Sequence, residues 1–297
     1  MILITGATGY IGRHLVSRLV DQGPRCLVRN ISRAASILPA DKVELVEGDT
    51  TQPASLEAAV QGVDTIVHAA FITADQKQSA GNSYEKTNVQ GTSNLIKAAK
   101  NAGVKRIIEI GGLGTRPDKP GSYMQGRYLA EKMLNDSGLD WTIIQPSVLF
   151  GKNARFIKGL SGLISSAPVV PLIGGGKVLF QPIYVEDVVT VIVKTLEDPA
   201  RTTGKTFTIG GPAYFSFTQV IDELLQAMHK KRIKAPAPTV LVGLGAAVME
   251  AVLPKPPLTR AAMTLFSFNN AADLNSVERD FGFRPMSFST YLQEHGV

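Results

Sequence analysis

The sequence predicts an α/β fold: a doubly wound parallel sheet with a smaller C-terminal lobe. Three observations predict it. The first half alternates short apolar runs with helix-period stretches. The apolar runs show no inside–outside alternation, as strands buried on both faces do not. The first of them, residues 2–4, runs straight into Gly6, Gly9 and Gly12, and a helical pattern follows.

Each element has its own local reason. Residues 13–19 continue the first helix, with Ile11, Leu15 and Leu19 on one face. Residues 25–29 and 43–46 read as the second and third strands, and 55–60 as a short helix. Residues 65–68 form the fourth strand, and 88–99 a long helix closed by Asn101-Ala102-Gly103. The fifth strand, 106–110, ends on Gly111-Gly112. A helix over 123–135 is closed by Gly138, and the sixth strand, 141–145, stops at Pro146. Two three-strand sets with crossover helices make residues 1–150 a Rossmann-type nucleotide-binding domain.

Past residue 150 the grammar changes. Residues 150–176 are rich in glycine and proline and show no long regular element. Residues 183–196 read as a helix led by Glu186 and Asp187, where acids favour a helix start. A strand follows over 205–209. Residues 216–229 read as a helix capped by Ser216, with Phe217, Val220, Leu224 and Leu225 as its buried stripe. Residues 151–297 are therefore mostly a small lobe for substrate or partner, with 183–197 and 205–210 returning to the main core.

Composition excludes several functions. The 297 residues are 44% hydrophobic and 19% charged, ordinary for a globular enzyme. The single cysteine, Cys26, rules out an internal disulfide and a cysteine zinc site, and falls in a strand expected to bury it. His14, His68, His229 and His295 lie in unrelated elements, so no metal site is expected. The net charge of +6 is scattered except for Lys230-Lys231-Arg232 with Lys234, and no aromatic platform accompanies that cluster. No nucleic-acid partner is expected. No basic region precedes the first apolar run, so it is not a signal peptide, and a cytoplasmic location is expected. Residues 239–253 are nearly all apolar, but fall short of the roughly 20 residues that span a bilayer. A buried helix of the small lobe is the first reading. A helix facing a protein partner or a membrane is the second. Pro254, Pro256 and Pro257 then forbid regular structure. Nothing in the sequence fixes an oligomeric state.

The opening glycines point to a dinucleotide pyrophosphate. Gly6 lets the chain turn sharply, Gly9 lets backbone approach the phosphates, and Gly12 lets the helix pack closely on the sheet. Thr8, Tyr10 and Ile11 complete the loop, and the free N–H groups of the helix start favour an anion. A Walker loop is excluded because Arg13-His14 follow Gly12. The end of the second strand selects the cofactor. An NAD site carries an acid there for the ribose hydroxyls, but no acid occurs between Gly23 and Pro39. Arg29 and Arg33, beside Asn30 and Ser32, suit a 2′-phosphate, so NADP(H) is favoured over NAD(H). Arg29 stacked on adenine in solvent is the alternative, compatible with either. Asp49 and Thr50 are placed to meet the adenine, and Ala69, Ala70 and Phe71 to line the cofactor. His68 reads as a packed strand residue.

Tyr123 and Arg127, four apart on one helix, share a face. With Thr5-Gly6-Ala7-Thr8-Gly9-Tyr10-Ile11-Gly12, Gly48-Asp49, His68-Ala69-Ala70 and Asn88-Val89-Gln90-Gly91-Thr92 they carry a family resemblance. Asp140-Trp141-Thr142-Ile143-Ile144-Gln145-Pro146-Ser147 and Gln181-Pro182-Ile183-Tyr184-Val185-Glu186-Asp187-Val188 extend it, as does the segment 253–260. The chain resembles the short-chain dehydrogenase/reductase superfamily, in its extended or atypical branch. Within that branch it is similar to the NADP-binding NDUFA9-like accessory subunits of respiratory complex I and to NmrA-like proteins. The resemblance implies a Tyr-x-x-x-Lys site with a serine after the fifth strand. Tyr123 matches the tyrosine, the acid–base group; Arg127 stands for the lysine; Gly111-Gly112 stand where the serine belongs. The resemblance further implies cofactor contacts at Asn88, Ile110, Gly111, Gly112, Tyr123 and Arg127, and at Pro146, Ser147 and Val148 near the nicotinamide. Two functions remain open: an NADP(H)-dependent oxidoreductase on a small organic molecule, and a non-catalytic NADP(H)-binding regulatory, assembly or accessory protein.

Overall fold

The structure, a computed structural model, describes residues 1–79, 81–253 and 258–297. The proline-rich stretch at 254–257, expected to be irregular, lies outside the described residues. The core is a seven-stranded sheet of β1 (Ile2–Thr5), β2 (Arg25–Val28), β3 (Glu44–Glu47), β4 (Thr65–His68), β5 (Arg106–Ile110), β6 (Asp140–Pro146) and β7 (Lys205–Ile209). The spatial order is β7-β6-β5-β4-β1-β2-β3. The five pairings that link β1 to β6 are parallel. The order reverses between β1 and β4, the switch point at which doubly wound sheets bind ligands. In this register Thr5 stands beside both Leu27 and His68.

Helices α1 (Tyr10–Arg18), α2 (Ile31–Ala35), α3 (Leu56–Val60), α4 (Gly91–Asn101) and α5 (Tyr123–Asn135) provide the crossovers. A π-helical segment, Tyr84–Gln90, leads into α4. The apolar core joins Leu3, Leu56, Ile66, Leu95, Ile107 and Leu134, each fully or almost fully buried. Cys26 on β2 is buried as expected, and burial pushes its thiol up to about 12, so it stays protonated.

The chain divides into two compact units. The first comprises Met1–Ile72, Gln78–Gln145 and Val188–Phe207; the second comprises Thr73–Lys77, Pro146–Asp187 and Thr208–Val297. The second unit corrects two expectations. Residues 150–176 contain a regular helix after all, Arg155–Ser166. Gly159 and Gly162 lower its intrinsic propensity, but Ile157 and Ile164 bury one face and tertiary packing prevails. The apolar stretch 239–253 does form a helix, Thr239–Val252, but not a buried one: Val240, Leu241, Leu244, Val248 and Val252 are exposed and only Ala246 is buried. The helix predicted over 183–196 begins later, at Val185, because Ile183–Tyr184 pair as a short parallel strand with Leu149–Phe150. The helix Phe217–Ala227 begins with the expected Ser216 cap, as a full capping box with Gln219.

In the first unit one buried cation ties the sheet to late segments. Arg106, at the start of β5, is 5% exposed. Its guanidinium donates to the Thr195 carbonyl at 3.0 Å and to the Thr142 and Thr202 hydroxyls at 2.8 and 2.7 Å. These acceptors sit on β6, on the helix Val185–Glu197 and on the turn Pro199–Thr202. Burial pulls the Arg106 guanidinium below its ordinary pKa, opposed by the charges of Asp140 and Asp198. Replacing Arg106 by Ala leaves buried acceptors unpaired and a cavity. We expect a stability loss of about 2–4 kcal/mol in chemical denaturation, with the denaturant dependence unchanged.

Candidate nucleotide site and the tyrosine beside it

The glycine loop is shaped by one carbonyl. Gly6 has φ +70°, and a Cβ there would lie 2.5 Å from the Ala69 carbonyl oxygen at the end of β4. The Gly6 carbonyl accepts the Gly9 N–H at 2.8 Å. A Cβ on Gly12 would lie 2.2 Å from that same oxygen and 2.8 Å from the Ala7 Cα. Gly12 is thus required by the loop itself, where the sequence had suggested packing on the sheet. The loop carries Thr8 on its exposed side, and α1 starts at Tyr10 with no side-chain cap on Gly9. The first-turn N–H groups of Tyr10, Ile11 and Gly12 have no carbonyl one turn back within the helix. An uncapped helix start above a glycine turn fits a pyrophosphate.

The residues expected around the adenosine cluster at the ends of β2 and β3. Arg29 and Arg33 are both exposed, and neither has a carboxylate partner among the described residues. Asn30 is the N-cap of α2, its Oδ1 accepting from the Arg33 N–H at 2.8 Å. Its side chain therefore organises the turn that carries the two guanidiniums. Asp49 Oδ1 accepts from the Thr51 N–H at 2.8 Å, and Thr50 is buried with its carbonyl held by Asn94.

His68 is a structural residue, as its sequence position suggested. Its Nδ1 lies 2.7 Å from Thr5 Oγ1 and its Nε2 lies 3.1 Å from Thr92 Oγ1. Thr92 spends its own proton on the Asn88 carbonyl at 2.6 Å. The network therefore assigns Nε2 as the donor to Thr92 and Nδ1 as the acceptor from Thr5. Burial, then the nearby Arg127 charge, pushes the imidazole down to about 3, so it is neutral.

At the end of β5 the structure brings Tyr123, Arg127, Gly111 and Gly112 together. Tyr123 opens α5, whose N-cap Ser122 accepts from the Gln125 N–H. The Tyr123 ring meets the Tyr84 ring edge-on at 5.5 Å. A Cβ on Gly112 would stand 3.4 Å from the Tyr123 hydroxyl, an ordinary contact. A Cβ on Gly111 would instead lie 2.7 Å from Glu131 Oε1 and 3.1 Å from Gln145 Cγ. Of the two glycines, only Gly112 has room for a side chain, and that side chain would face the tyrosine. Arg127 is 2% exposed. Its Nη2 donates to the Ile110 carbonyl at 2.6 Å, and its guanidinium carbon lies 4.0 Å from the centre of the Phe71 ring. Phe71 in turn leans on His68, with ring centres 4.4 Å apart.

Two carboxyls belong to this cluster that the sequence reading passed over. Glu109 on β5 and Glu131 on α5 are both buried. Glu131 Oε2 accepts from Gln145 Nε2 at 2.7 Å; among the described residues both Glu109 oxygens and the Arg127 Nε have no hydrogen-bond partner. Burial pushes the Glu109 carboxyl up to about 8, the Arg127 charge opposing and the Glu131 charge adding. Burial also raises Glu131, against the Arg127 charge and the hydrogen bond from Gln145. A signal was available: Glu109 is the lone acid in Arg106-Ile107-Ile108-Glu109-Ile110, a strand otherwise apolar after its first residue.

Other expected contacts are engaged in holding backbone. Asn88 Oδ1 accepts the Ile72 N–H at 2.8 Å and its Nδ2 donates to the Ile72 carbonyl at 3.1 Å, so the amide clamps the chain just after Phe71. Pro146, Ser147 and Val148 belong to the second unit. There the Ser147 hydroxyl bonds to Asn270 at 2.8 and 2.9 Å, and the Val148 carbonyl accepts the Ile183 N–H.

Comparison with known proteins converges on the nucleotide site. Residues 6–199 match the family model described as NAD(P)H-binding. The chain is 32% identical over 232 residues to the NAD(P)H azoreductase of Xenophilus azovorans, covering 76% of this chain and 73% of that protein. It is 27% identical over 245 residues to a mitochondrial NADH dehydrogenase subunit (1 alpha subcomplex subunit 9) of Arabidopsis thaliana, covering 79% of this chain. The match spans only 60% of that subunit's length. An NADPH-dependent quinone oxidoreductase of Escherichia coli, solved with NADPH, superposes with a TM-score of 0.75 at 19% identity, covering 99% of both chains. At that identity the likeness is one of fold.

The buried carboxyl gives a pH test. A carboxyl raised in the folded state binds its proton more tightly there than in the unfolded chain. Its contribution to stability therefore falls as pH rises from about 4.5 to about 8, and levels off above. Glu109→Gln should flatten that part of the curve and raise the melting temperature most at alkaline pH. Parallel melting curves for both proteins from acid to alkaline pH would show Glu109 to be uncoupled from folding.

Proposed function

The chain belongs to the NAD(P)H-binding family, and on that premise we propose an NADP(H)-dependent oxidoreductase acting on a small organic carbonyl or alcohol. When bound, the nicotinamide supplies hydride exchange at the substrate carbon. The chain's own contribution is a proton. Tyr123 gives one to the substrate oxygen in the reducing direction and takes it back in the oxidising direction. The observation that carries this reading is the setting of Tyr123: its hydroxyl lies beside Gly112, and Arg127 stands one helical turn along the same face. Arg127 supplies a fixed positive charge near that hydroxyl. Its guanidinium, held by the Ile110 carbonyl and Phe71, is a positioned charge that takes no part in proton transfer. Preference for NADP(H) rests on the two exposed, unpaired guanidiniums of Arg29 and Arg33 and on the absence of an acid from that turn.

A second reading, a non-catalytic NADP(H)-binding accessory or regulatory protein, draws on a specific observation. Glycine, at 112, stands where the resemblance implies a serine, and the Arg127 Nη2 is already bound to backbone. Membership of a larger complex is what the mitochondrial relative, a subunit of an NADH dehydrogenase, has; a reductase role is what the azoreductase has.

Turnover separates the two. With NADPH and a panel of aldehydes, ketones, quinones and enones, Tyr123→Phe should lower kcat by about a hundredfold or more. Gly112→Ser, which the geometry accommodates, should raise kcat by about tenfold through an added donor at the substrate oxygen. Tight NADPH binding without turnover in the native chain and in Gly112→Ser would establish the second reading.

Cofactor choice has its own test. Arg29→Asp should raise the Kd for NADPH by roughly 10–100-fold, because a charge-assisted bond is replaced by repulsion. The Kd for NADH should move by less than about threefold. Equal losses for both, read by nucleotide fluorescence, would refute the 2′-phosphate assignment.

A further inference from the structure

The helix Thr239–Val252 is built the wrong way round for a globular protein. Surface helices turn an apolar stripe inward and polar residues outward. Here Val240, Leu241, Leu244, Val248 and Val252 are each between 62% and 74% exposed. Their spacings of three, four and seven put them on one face, so the apolar stripe points outward along nearly four turns. The inward side holds Ala246, fully buried, with Val242, Gly243, Ala247 and Met249 half-buried. From Thr239 to Met249 no side chain is charged and none carries an amide. The sole acid of the helix, Glu250, is bound to Arg260 at 2.8 Å.

The sequence that flanks the helix is one-sided in charge, although Lys234 is ion-paired with Asp222. Between residues 230 and 260 the sequence holds Lys230, Lys231, Arg232, Lys234, Lys255 and Arg260 against Glu250 alone. That local excess of five accounts for most of the chain's net +6. The strand Ile233–Ala237, which carries Lys234, leads directly into the helix.

We propose that this helix lies flat in the surface of an anionic phospholipid bilayer, with its apolar stripe among the acyl chains and the flanking lysines and arginines at the headgroups. A fourteen-residue helix is about 21 Å long, short of the roughly 30 Å of hydrocarbon that a span must cross. Among the described residues no helix is long and apolar enough to cross a membrane. Lying in the interface needs no such length, and apolar area and cationic flanks add together there. Charge argues against a second copy of the chain as the occupant, because pairing two such faces would bring two cationic surfaces together. The lack of polar side chains on the stripe argues against a protein partner, whose interface would need hydrogen bonds to set register. A bilayer needs none.

The test is vesicle flotation of the full chain. Binding to vesicles of phosphatidylcholine with phosphatidylglycerol should exceed binding to phosphatidylcholine alone by at least about tenfold, and fall with added salt. Leu241→Glu with Leu244→Glu should abolish it while the circular-dichroism melt is unchanged, since both side chains are exposed. Lys231→Glu should weaken binding to the anionic vesicles only. Equal binding to both vesicle types, or none to either, would overturn the proposal. So would a dimer in gel filtration that the Leu241/Leu244 double variant converts to monomer. None of these readouts depends on turnover, so the proposal stands or falls apart from the oxidoreductase reading.

Discussion

One oxygen atom, the Gly6 carbonyl, constrains the whole nucleotide end of the sheet. It accepts the Gly9 N–H and lies where side chains on Gly9 and Gly12 would have to go. On the other side of the same residue, the backbone of Ala69 leaves no space for a Cβ on Gly6. The crossing of β1 and β4 therefore dictates all three glycines before any ligand is considered. What the loop leaves over is the ligand argument: an α1 that begins without a capping side chain, at the switch point of the sheet. Glycine spacing accounts for shape, and the uncapped helix start accounts for affinity toward an anion.

A second constraint follows a few residues along β5 and α5. Arg127 is buried with a neutral His68 close by and, among the described residues, no carboxylate within ion-pair distance, while Glu109 and Glu131 are buried with their carboxyls raised. Burial disfavours both carboxylate charges; the Arg127 charge partly offsets this for each, while the Glu131 charge adds to it at Glu109. Gly111 is the packing consequence, since only a missing side chain lets Glu131 and Gln145 close over the end of β5. Gly112 has no such excuse in packing. The two adjacent glycines, equivalent in the sequence, thus have different physical meanings: one makes room for a buried carboxyl, the other leaves room beside Tyr123.

The inner strands of the sheet were legible because they are buried on both faces, and such strands write themselves as nearly unbroken apolar runs. Strand β7, at the edge of the sheet, was legible for a different reason: it alternates, with only Phe207 and Ile209 buried. The helix Arg155–Ser166 was not, because two glycines inside it mask a periodicity that only packing redeems. The helix Thr239–Val252 was legible as a helix but not in its orientation: it is apolar nearly all round, so no period says which side faces out. At the site, Tyr123 and Arg127 could be placed on one face from spacing alone. That Arg127 would be held by the Ile110 carbonyl, and that Glu109 and Glu131 would lie buried beside it, depends on how α5 packs on β5. The amide of Asn88 is engaged with Ile72, a contact sixteen residues back that no local pattern announces.

The interleaving of the two units bears on how the chain is born. Arg106 emerges from the ribosome well before its acceptors, which follow 36, 89 and 96 residues later. At about 5–20 residues per second, the last acceptor appears roughly 5–20 s after the guanidinium it receives. Meanwhile most of the segment Pro146–Asp187, which belongs to the other unit, is made in between. Once β6 is made, the nascent chain holds the glycine loop and the six strands from β1 to β6, yet of the three acceptors of Arg106 only Thr142 is present. Vectorial synthesis thus leaves the nucleotide-binding half complete in strands but unlocked at its base, and the last turn of the interleaved segment is what dries and fastens it.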